Sequence, residues 1–320
     1  MTRVAFAGAG GIAERHLGAL QAVGGVDVVG VSSRTAERAA AFAGRCGARV
    51  FTDAGEMLDA VKPDALYVCV TPAAHGDIER AAIARRVPFF VEKPLALDWD
   101  TAAAIGAEVA RAELVTSVGY QWRHHASVER ARELLAGRSV ALAMGYWLTR
   151  TPAPAWWSRS AESGGQMVEQ LTHMVDLARW FLGPAASVHA LTQRVPRTSH
   201  PDCDVDEVTL ATVRFRSGAV ASFTSTCILA ASHKVGLHLY AENIAVEIGA
   251  ASLTVDTGAG REEQSFEGDA TVEQARAFLE AVTTGDRTRV RSSYADALDT
   301  HRITMLARDS ARQGGQLMSV

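Results

Sequence analysis

The stretch Gly8-Ala9-Gly10-Gly11-Ile12-Ala13 decides the fold, because it follows a short apolar run and opens an amphipathic segment. A GxGxxA pattern between a strand and a helix is typical of a turn that holds the pyrophosphate of a dinucleotide. Gly8 permits the tight turn, Gly10 lets the backbone approach the phosphates, and Ala13 allows close packing of helix on strand. Gly11 and Ile12 begin the helix, whose amide groups and dipole favour bound anions.

From residue 3 to residue 117, short apolar runs alternate with alanine-rich amphipathic stretches. This alternation predicts βαβ units around a parallel sheet, and it favours a binding role for the glycine turn over a purely structural one. The first part, residues 1–119, is therefore predicted to be a Rossmann dinucleotide-binding domain. Six strands are predicted at 4–7, 26–31, 49–51, 65–70, 88–91 and 114–118, with helices at 12–23, 35–44, 55–60, 75–86 and 100–111.

Residues 120–320 have a different pattern, in which strand-like runs follow one another without helices between them. Consecutive strands predict an antiparallel or mixed sheet and hence an α+β domain. We expect strands at 140–149, 187–195, 208–215, 219–226, 234–241 and 245–248. Helices are expected at 127–135, 165–182, 271–284 and 294–314, the last being long enough to pack back on the first domain.

The composition of the 320 residues, with 48% apolar residues and a net charge of −4, is typical of a soluble globular protein and argues against nucleic acid as a partner. No run approaches the roughly 20 apolar residues of a membrane span, and no signal peptide is evident, so we expect a cytoplasmic protein. The four cysteines are far apart in sequence and predict buried apolar side chains, and no histidine pattern requires a metal.

The end of the second strand indicates which dinucleotide binds. An NAD-binding domain usually has a carboxylate there for the ribose 2′-hydroxyl, whereas this chain has Ser32-Ser33-Arg34. A serine hydroxyl and an arginine suit a 2′-phosphate through charge-assisted hydrogen bonds, which favours NADP. The alternative is that Arg34 only begins the next helix, in which case NAD remains possible.

The motif Glu92-Lys93-Pro94 after the fifth strand resembles the hallmark of the glucose-fructose oxidoreductase, inositol dehydrogenase and MocA (Gfo/Idh/MocA) family. The resemblance extends over nearly the whole chain and includes Thr71-Pro72 with His75, the segment 119–123, the segment 163–165 and the segment 292–297. It implies a Rossmann domain followed by an open-faced mixed sheet. It also implies hydride transfer at a carbinol carbon and assembly through the open sheet into dimers or tetramers.

Lys93 is the first candidate acid/base group, since it follows a parallel strand at the edge where Rossmann ligands bind. Glu169, His173 and Asp176 are spaced i, i+4 and i+7, so one continuous helix would present all three on one face. The resemblance implies that His173 is the acid/base partner or a ligand of a substrate hydroxyl. Asp176 is interpreted as structural. Glu169 stands where the family has an aspartate, which leaves the substrate in doubt more than the reaction.

Further residues are expected to contact the cofactor or the substrate. Trp156 and Trp157 would stack on a sugar ring or only cover the site, and Arg123 is the less certain substrate contact. The expected cofactor contacts, beyond the glycine turn and the second strand, are Thr71, Pro72, His75, Glu92, Lys93, Gln121 and Trp122. The expected substrate contacts are Lys93, Tyr120, Arg123, Trp156, Trp157, Gln166, Glu169, Gln170 and His173.

The function that this sequence favours is a hydride-transferring oxidoreductase for a sugar, sugar derivative or cyclitol. Two alternatives stay open. Some relatives in the family keep the cofactor bound and use transient oxidation to cleave a glycosidic bond. Others act as non-catalytic sensors or regulators, although the presence of both Lys93 and His173 argues against that role here.

Overall fold

The glycine turn belongs to a parallel sheet of six strands in the order β3-β2-β1-β4-β5-β6, which confirms the predicted Rossmann topology. The computed structural model describes residues 1–320. Its first compact unit comprises residues 1–121 and 269–298, and its second comprises residues 122–268 and 299–320. The six strands are β1 Thr2–Ala7, β2 Val26–Ser32, β3 Arg49–Phe51, β4 Ala65–Val68, β5 Phe89–Val91 and β6 Thr116–Val118. The helices between them are α1 Gly11–Val23, α2 Ala36–Ala43, α3 Ala54–Val61, α4 Asp77–Ala84 and α5 Trp99–Ala112.

The fourth helix begins later than predicted. The segment Pro72–Ala74 forms a separate 3-10 turn, and α4 begins at Asp77 rather than at His75. The reason lies at Gly76, whose N–H donates to Glu79 Oε2 at 2.7 Å and caps the helix from that point. His75 is therefore held on the turn that precedes the helix.

The backbone leaves no space for a side chain at Gly8. Its φ is +104°, and a Cβ placed there would lie 2.1 Å from the carbonyl oxygen of Cys69, just beyond β4. The Gly8 N–H also donates to the carbonyl of Ser32, at the end of β2, at 2.8 Å. Three strands thus converge on this residue, and only glycine permits both the conformation and the approach.

Residues 269–298 belong to the first unit, although they follow residues 122–268 of the second unit in sequence. This segment contains α10, Ala270–Thr284, and the start of α11, Tyr294–Arg312. Gln274 Nε2 donates to the carbonyl of Val118 at 2.7 Å, and the carbonyl of Ser292 accepts from the Val118 N–H at 2.9 Å. The predicted domain ranges, 1–119 and 120–320, assign this segment to the second domain and stay a prediction.

The second unit is built on a nine-stranded sheet in the order β14-β13-β12-β11-β7-β10-β9-β8-β15, in which β7 and β10 are parallel and the other neighbours are antiparallel. The mixed, mostly antiparallel sheet confirms the predicted class. Its strands are β7 Val140–Leu148, β8 Ala185–Gln193, β9 Val208–Phe215, β10 Val220–Thr226, β11 Lys234–Ala241, β12 Ile244–Ile248, β13 Ser252–Asp256, β14 Arg261–Ser265 and β15 Met318–Ser319.

Three of these strands are not predicted by the sequence pattern, namely β13, β14 and β15. The sequence of β14 is Arg-Glu-Glu-Gln-Ser, which carries no apolar alternation because this edge strand buries neither face. Its pairing comes from backbone hydrogen bonds with β13, and such pairing leaves no mark in the side-chain pattern.

The single helix predicted at 165–182 is wrong, because the chain forms a short helix α8, Gln166–Glu169, and a separate helix α9, Thr172–Leu182. At the break, the Leu171 N–H donates to the carbonyl of Gln166, five residues back, at 2.9 Å. This wider turn adds a residue to the helical repeat. The i, i+4 spacing from Glu169 to His173 therefore no longer implies a shared face. Helices α6, Ala126–Leu135, and α7, Ser160–Ser163, complete the unit.

One face of the nine-stranded sheet is open. Along β9 the side chains alternate between buried and exposed, with Ala211, Val213 and Phe215 buried and Leu210 50% exposed. The buried side forms a core with α6, α9 and α11. The exposed large apolar residues of the other face include Leu142, Leu191, Leu210 and Val220. Across the chain, no helix combines the length and hydropathy needed to cross a membrane.

The close approach at Gly8 generates a stability prediction. Gly8→Ala is expected to lower the free energy of unfolding by at least about 2 kcal/mol, because positive φ and the Cys69 carbonyl both oppose a methyl group. Gly10→Ala is the matched control: Gly10 has a φ of −93° and open space where a Cβ would lie, so its cost stays below about 1 kcal/mol. Urea denaturation of both variants measures the difference, and equal losses would contradict the assignment.

Candidate dinucleotide and substrate sites

The glycine turn presents open backbone at the start of α1. Gly10 caps the helix, and a Cβ at Gly10 or at Gly11 would meet nothing within 4 Å. The Ile12 side chain is 40% exposed, whereas Ala13 is fully buried against the sheet. The amide groups of the first turn of this 13-residue helix are thus accessible from outside the unit, as binding of a pyrophosphate requires.

The end of β2 carries hydroxyl groups and a cation. The carbonyl of Ser32 is used by Gly8, and the Ser33 N–H donates to the carbonyl of Phe51 at 3.2 Å. These bonds hold the strand end while the Ser33 side chain stays partly accessible and Arg34 is exposed. The first carboxylate after this strand is Glu37, which lies in the first turn of α2. The local sequence thus offers a 2′-phosphate two donors before any acidic group.

Glu92 and Lys93 directly follow β5 and differ in how far they are buried. Lys93 is half-buried, and its peptide bond to Pro94 is cis. The Glu92 side chain is buried, with Oε1 2.7 Å from His16 Nε2 and Oε2 accepting from the Lys93 N–H at 3.1 Å. The two carboxylate oxygens are therefore engaged by α1 and by the Lys93 backbone. A direct contact of Glu92 with the cofactor stays a prediction.

His16 was missed by the sequence reasoning, although a signal was present. On α1 the buried residues include Ala13, Leu17 and Leu20, and His16 shares their buried side. A polar residue at a core-facing helical position needs a partner. The partner could not be read from the sequence, because Glu92 lies 76 residues away.

The turn after β4 holds Thr71, Pro72 and His75. Pro72 is buried and begins the 3-10 turn, and Thr71 precedes it with partial exposure. His75 Nδ1 lies 2.6 Å from Glu79 Oε1, and neither side chain has exposed surface. The turn lies at the carboxyl end of the parallel strands, on the same edge as the glycine turn and Lys93.

Residues 120–123, which follow β6, are more buried than expected for residues that contact a ligand. Tyr120 and Arg123 have no exposed surface and Trp122 has 5%, whereas Gln121 is partly exposed. The Arg123 guanidinium donates to both carboxylate oxygens of Asp176, with distances of 2.7 Å from Nε and 2.5 Å from Nη2. It also lies 4.5 Å from the ring centre of Trp180. This geometry favours a structural role for Arg123 over contact with a substrate.

Asp176 also accepts from the Thr300 hydroxyl at 2.9 Å. The carboxylate thus joins α9 to α11 as well as to the segment after β6, in agreement with its interpretation as a structural residue. A buried ion pair of this kind is strongly destabilising to break on one side, by about 3 to 5 kcal/mol, because one charge remains without its partner.

His173 lies in the first turn of α9, and its ring stacks on Trp147 of β7, with centroids 5.3 Å apart and an interplanar angle of 18°. His173 is 4% exposed. The stacking sets the plane of the imidazole, so its two nitrogens are held in fixed directions. His173 and Glu169 belong to the second unit, whereas Lys93 belongs to the first.

Glu169 accepts a hydrogen bond from Trp157 Nε1 at 2.7 Å. Trp157 is 1% exposed and packs in a small cluster with Cys203, Val205 and Cys227. Its indole ring is therefore enclosed, and its N–H is bonded to the Glu169 carboxylate. Trp156 is only partly buried, so of the two tryptophans it retains surface for a ring of substrate.

The two glutamines at the start of this region form a chain of hydrogen bonds. Gln166 Oε1 accepts from the Ser225 hydroxyl at 3.1 Å, and Gln166 Nε2 donates to Gln170 Oε1 at 3.3 Å. Both side chains are more than nine-tenths buried. They link α8 to β10 and to the helix break.

The cysteines are not paired with one another. All four cysteines are free, and three of them are buried. Burial raises the pKa of Cys227 to about 11, so this thiol stays protonated near neutral pH and is a poor nucleophile. No group of three or more histidine, cysteine, aspartate or glutamate side chains is arranged to hold a metal ion.

Known families match both units. Residues 2–120 match the model of the Gfo/Idh/MocA oxidoreductase family with an NAD-binding Rossmann fold, and residues 129–247 match the Gfo/Idh/MocA C-terminal domain. The fold and these matches define an NAD(P)-dependent oxidoreductase. The chain belongs to the Gfo/Idh/MocA family.

Individual relatives agree with this membership. 1,5-Anhydro-D-fructose reductase of Ensifer adhaerens is 30% identical over 233 residues, which cover 70% of this chain and 68% of that protein. Inositol 2-dehydrogenase 3 of Saccharopolyspora erythraea is 31% identical over 200 residues, covering 62% of this chain and 58% of that protein. The structure of levoglucosan dehydrogenase in complex with NADH and levoglucosan superposes with a TM-score of 0.89 at 19% identity, covering 100% of this chain and 99% of that one.

Proposed function

We propose that this protein transfers a hydride between NADP(H) and a secondary alcohol or ketone of a sugar, sugar derivative or cyclitol. The observation that carries the proposal is the placement of Lys93 at the carboxyl end of β5, with its backbone N–H bonded to a buried glutamate. Relatives named for the conversion of 1,5-anhydro-D-fructose, D-xylose and inositol support the substrate class.

The residues of the glycine turn fit the dinucleotide, because the first amides of α1 are accessible and Gly10 and Gly11 leave space for phosphates. Gly8, Ile12 and Ala13 shape the same turn. When bound, the nicotinamide supplies or accepts the hydride. We assign the surroundings of that ring to the segments after β4, β5 and β6, with Thr71, Pro72, His75, Glu92, Gln121 and Trp122 as the residues involved.

In the oxidative direction, Lys93 accepts the proton of the substrate hydroxyl while the hydrogen on the same carbon leaves as hydride. In the reductive direction, the protonated amine returns that proton to the alkoxide oxygen. His173, fixed by its stacking on Trp147, holds the reacting hydroxyl or shares its proton. We assign Glu169 to the catalytic set as the group that orients His173 or accepts a neighbouring hydroxyl.

The remaining hydroxyls of the substrate require further polar and aromatic contacts. We assign these to Tyr120, Trp156, Gln166 and Gln170, with Glu169 again accepting hydrogen bonds. Arg123 and Trp157 act on this set indirectly, since each is enclosed and bonded to a carboxylate within the second unit.

The reaction itself is tested by a screen of aldoses, uronates, inositols and keto-sugars with NADP(H) and with NAD(H). Turnover is measured by nicotinamide absorbance.

A substrate found in this screen allows the roles of Lys93 and His173 to be tested. Lys93→Ala and His173→Ala are each expected to lower kcat on the order of 100-fold, because a positioned acid/base group is lost. Dinucleotide affinity is retained in both variants.

Lys62→Gln is the matched control, since Lys62 is an exposed lysine of the same unit, and its kcat should equal that of the parent. Parent rates in both alanine variants would remove these residues from the chemistry. Cleavage of a glycoside without net change in nicotinamide absorbance would instead identify the transient-oxidation alternative.

The end of β2 generates the prediction on cofactor choice. NADP(H) is expected to bind several-fold more tightly than NAD(H), because Ser33 and Arg34 suit a 2′-phosphate. Ser33→Asp should reverse the preference by repelling that phosphate and binding a ribose hydroxyl. Fluorescence titration measures the four dissociation constants. Arg86→Ala serves as the control, because Arg86 is an exposed arginine at the amino end of β5, and a loss of preference there would count against a role specific to the end of β2.

The open face of the sheet is proposed to bind a second copy of this chain in a dimer or a tetramer. The paired positions Leu191 and Leu210, and the exposed Leu142 and Val220, give it an apolar surface that monomers rarely expose. Leu210→Glu is expected to shift the sedimentation coefficient toward the monomer. Val50→Glu, at an exposed valine of β3, should leave the assembly unchanged, and a monomeric parent would refute the proposal.

A further inference from the structure

The buried pair of His16 and Glu92 connects the helix that follows the glycine turn with the segment that carries Lys93. His16 belongs to the helix that the glycine turn begins, and Glu92 directly precedes Lys93. The His16 and Glu92 side chains are 3% and 9% exposed, and Nε2 lies 2.7 Å from Oε1. A short contact between two largely buried polar groups fixes both side chains.

The donor in this bond is assigned from the chemistry of the two groups. A carboxylate oxygen is an acceptor, so we assign the donating proton to Nε2 of His16. The ring is held from its sides by Phe90 and Tyr67, with centroid distances of 4.7 Å and 5.5 Å. His16 Nδ1 is buried without a protein partner, so the imidazole is held by one hydrogen bond and by aromatic contacts.

Glu92 transmits this restraint to the backbone. Its second oxygen accepts the N–H of Lys93 at 3.1 Å. The carboxylate also lies close to Gly119, where an added Cβ would be 2.7 Å from Oε2 and 2.8 Å from Oε1. These contacts restrict the Glu92 carboxylate, and its bond to the Lys93 N–H ties the orientation of that peptide to it.

We propose that His16 is a positioning residue for Lys93, which it acts on through the Glu92 carboxylate. The inference rests on the proposed function only in so far as Lys93 acts on the substrate. Because His16 lies on the helix whose first turn would bind the pyrophosphate, the same pair would couple the dinucleotide site to the Lys93 amine. Removal of the His16 donor frees the Glu92 carboxylate to rotate, and the Lys93 backbone loses its fixed acceptor.

A substrate-independent experiment is possible because the chain contains three lysines, Lys62, Lys93 and Lys234. Each amine is acetylated with acetic anhydride in limiting amount, and the rate at each lysine is measured by peptide mass spectrometry. In His16→Leu the rate at Lys93 is expected to change by about threefold or more. The rates at Lys62 and Lys234 act as internal references and should stay at the parent values.

Three further variants distinguish loss of the Lys93 position from general loss of structure. His16→Gln retains an N–H donor at similar reach and should restore the parent rate at Lys93. Gly119→Ala pushes the carboxylate from the other side and should reproduce the effect of His16→Leu. Tyr67→Phe is the packing control, since it removes only a buried hydroxyl that has no partner, and it should leave Lys93 unchanged.

The kinetic counterpart uses a double-mutant cycle with a substrate from the screen. His16→Leu should lower kcat on the order of tenfold with little change in KM, and should have no further effect in a Lys93→Ala background. Additive losses, or an unchanged acetylation rate at Lys93 in His16→Leu, would overturn the inference. Retained turnover in Lys93→Ala alone would refute the proposed function, while the acetylation rates would still decide the positioning role of His16.

Discussion

The absence of a side chain at Gly8 is the constraint on which the first unit depends. Its Cα lies so close to the Cys69 carbonyl that even a methyl group would overlap with the backbone. This approach lets the end of β1 meet the ends of β2 and β4, and it directs the chain straight into α1. The first amides of the helix then face outward at the carboxyl edge of the sheet, where Lys93 and the turn at Thr71 also lie. The close approach of Gly8 to the Cys69 carbonyl thus sets the geometry of the carboxyl edge of the sheet, where dinucleotides bind in Rossmann domains.

Buried polar pairs hold the functional side chains in both units. In the first unit, the bond between His16 and Glu92 ties α1 to the residue before Lys93. In the second, Trp157 orients Glu169, and Arg123 fixes Asp176 on α9. Each pair is made within its own unit between different segments of the chain. A buried polar group without its partner is costly, so these bonds specify side-chain positions more strictly than apolar packing does.

The predictability of each element follows from how it is stabilised. Strands β1, β4 and β5 are predictable because their residues are buried on both faces over most of their length, so each is a short, nearly uninterrupted apolar run. Strand β14 escapes prediction because its polar side chains bury neither face and its backbone alone pairs with β13. The helix break at Gln170 and Leu171 escapes prediction because neither residue is a glycine or a proline. The broken helix changes the site as well, since it places Glu169 and His173 on separate helices.

The sequence by itself determined the family, the topology of the dinucleotide-binding sheet and the identity of Lys93 and His173 as candidates. These features depend on local patterns: a glycine turn, apolar runs and a short motif after a strand. The tertiary structure alone decided that His16 bonds to Glu92, that Trp157 bonds to Glu169, and that Arg123 is enclosed with Asp176. Such partners belong to different segments that tertiary packing brings together, and no residue pattern within one segment records which group of another segment will satisfy a buried donor or charge.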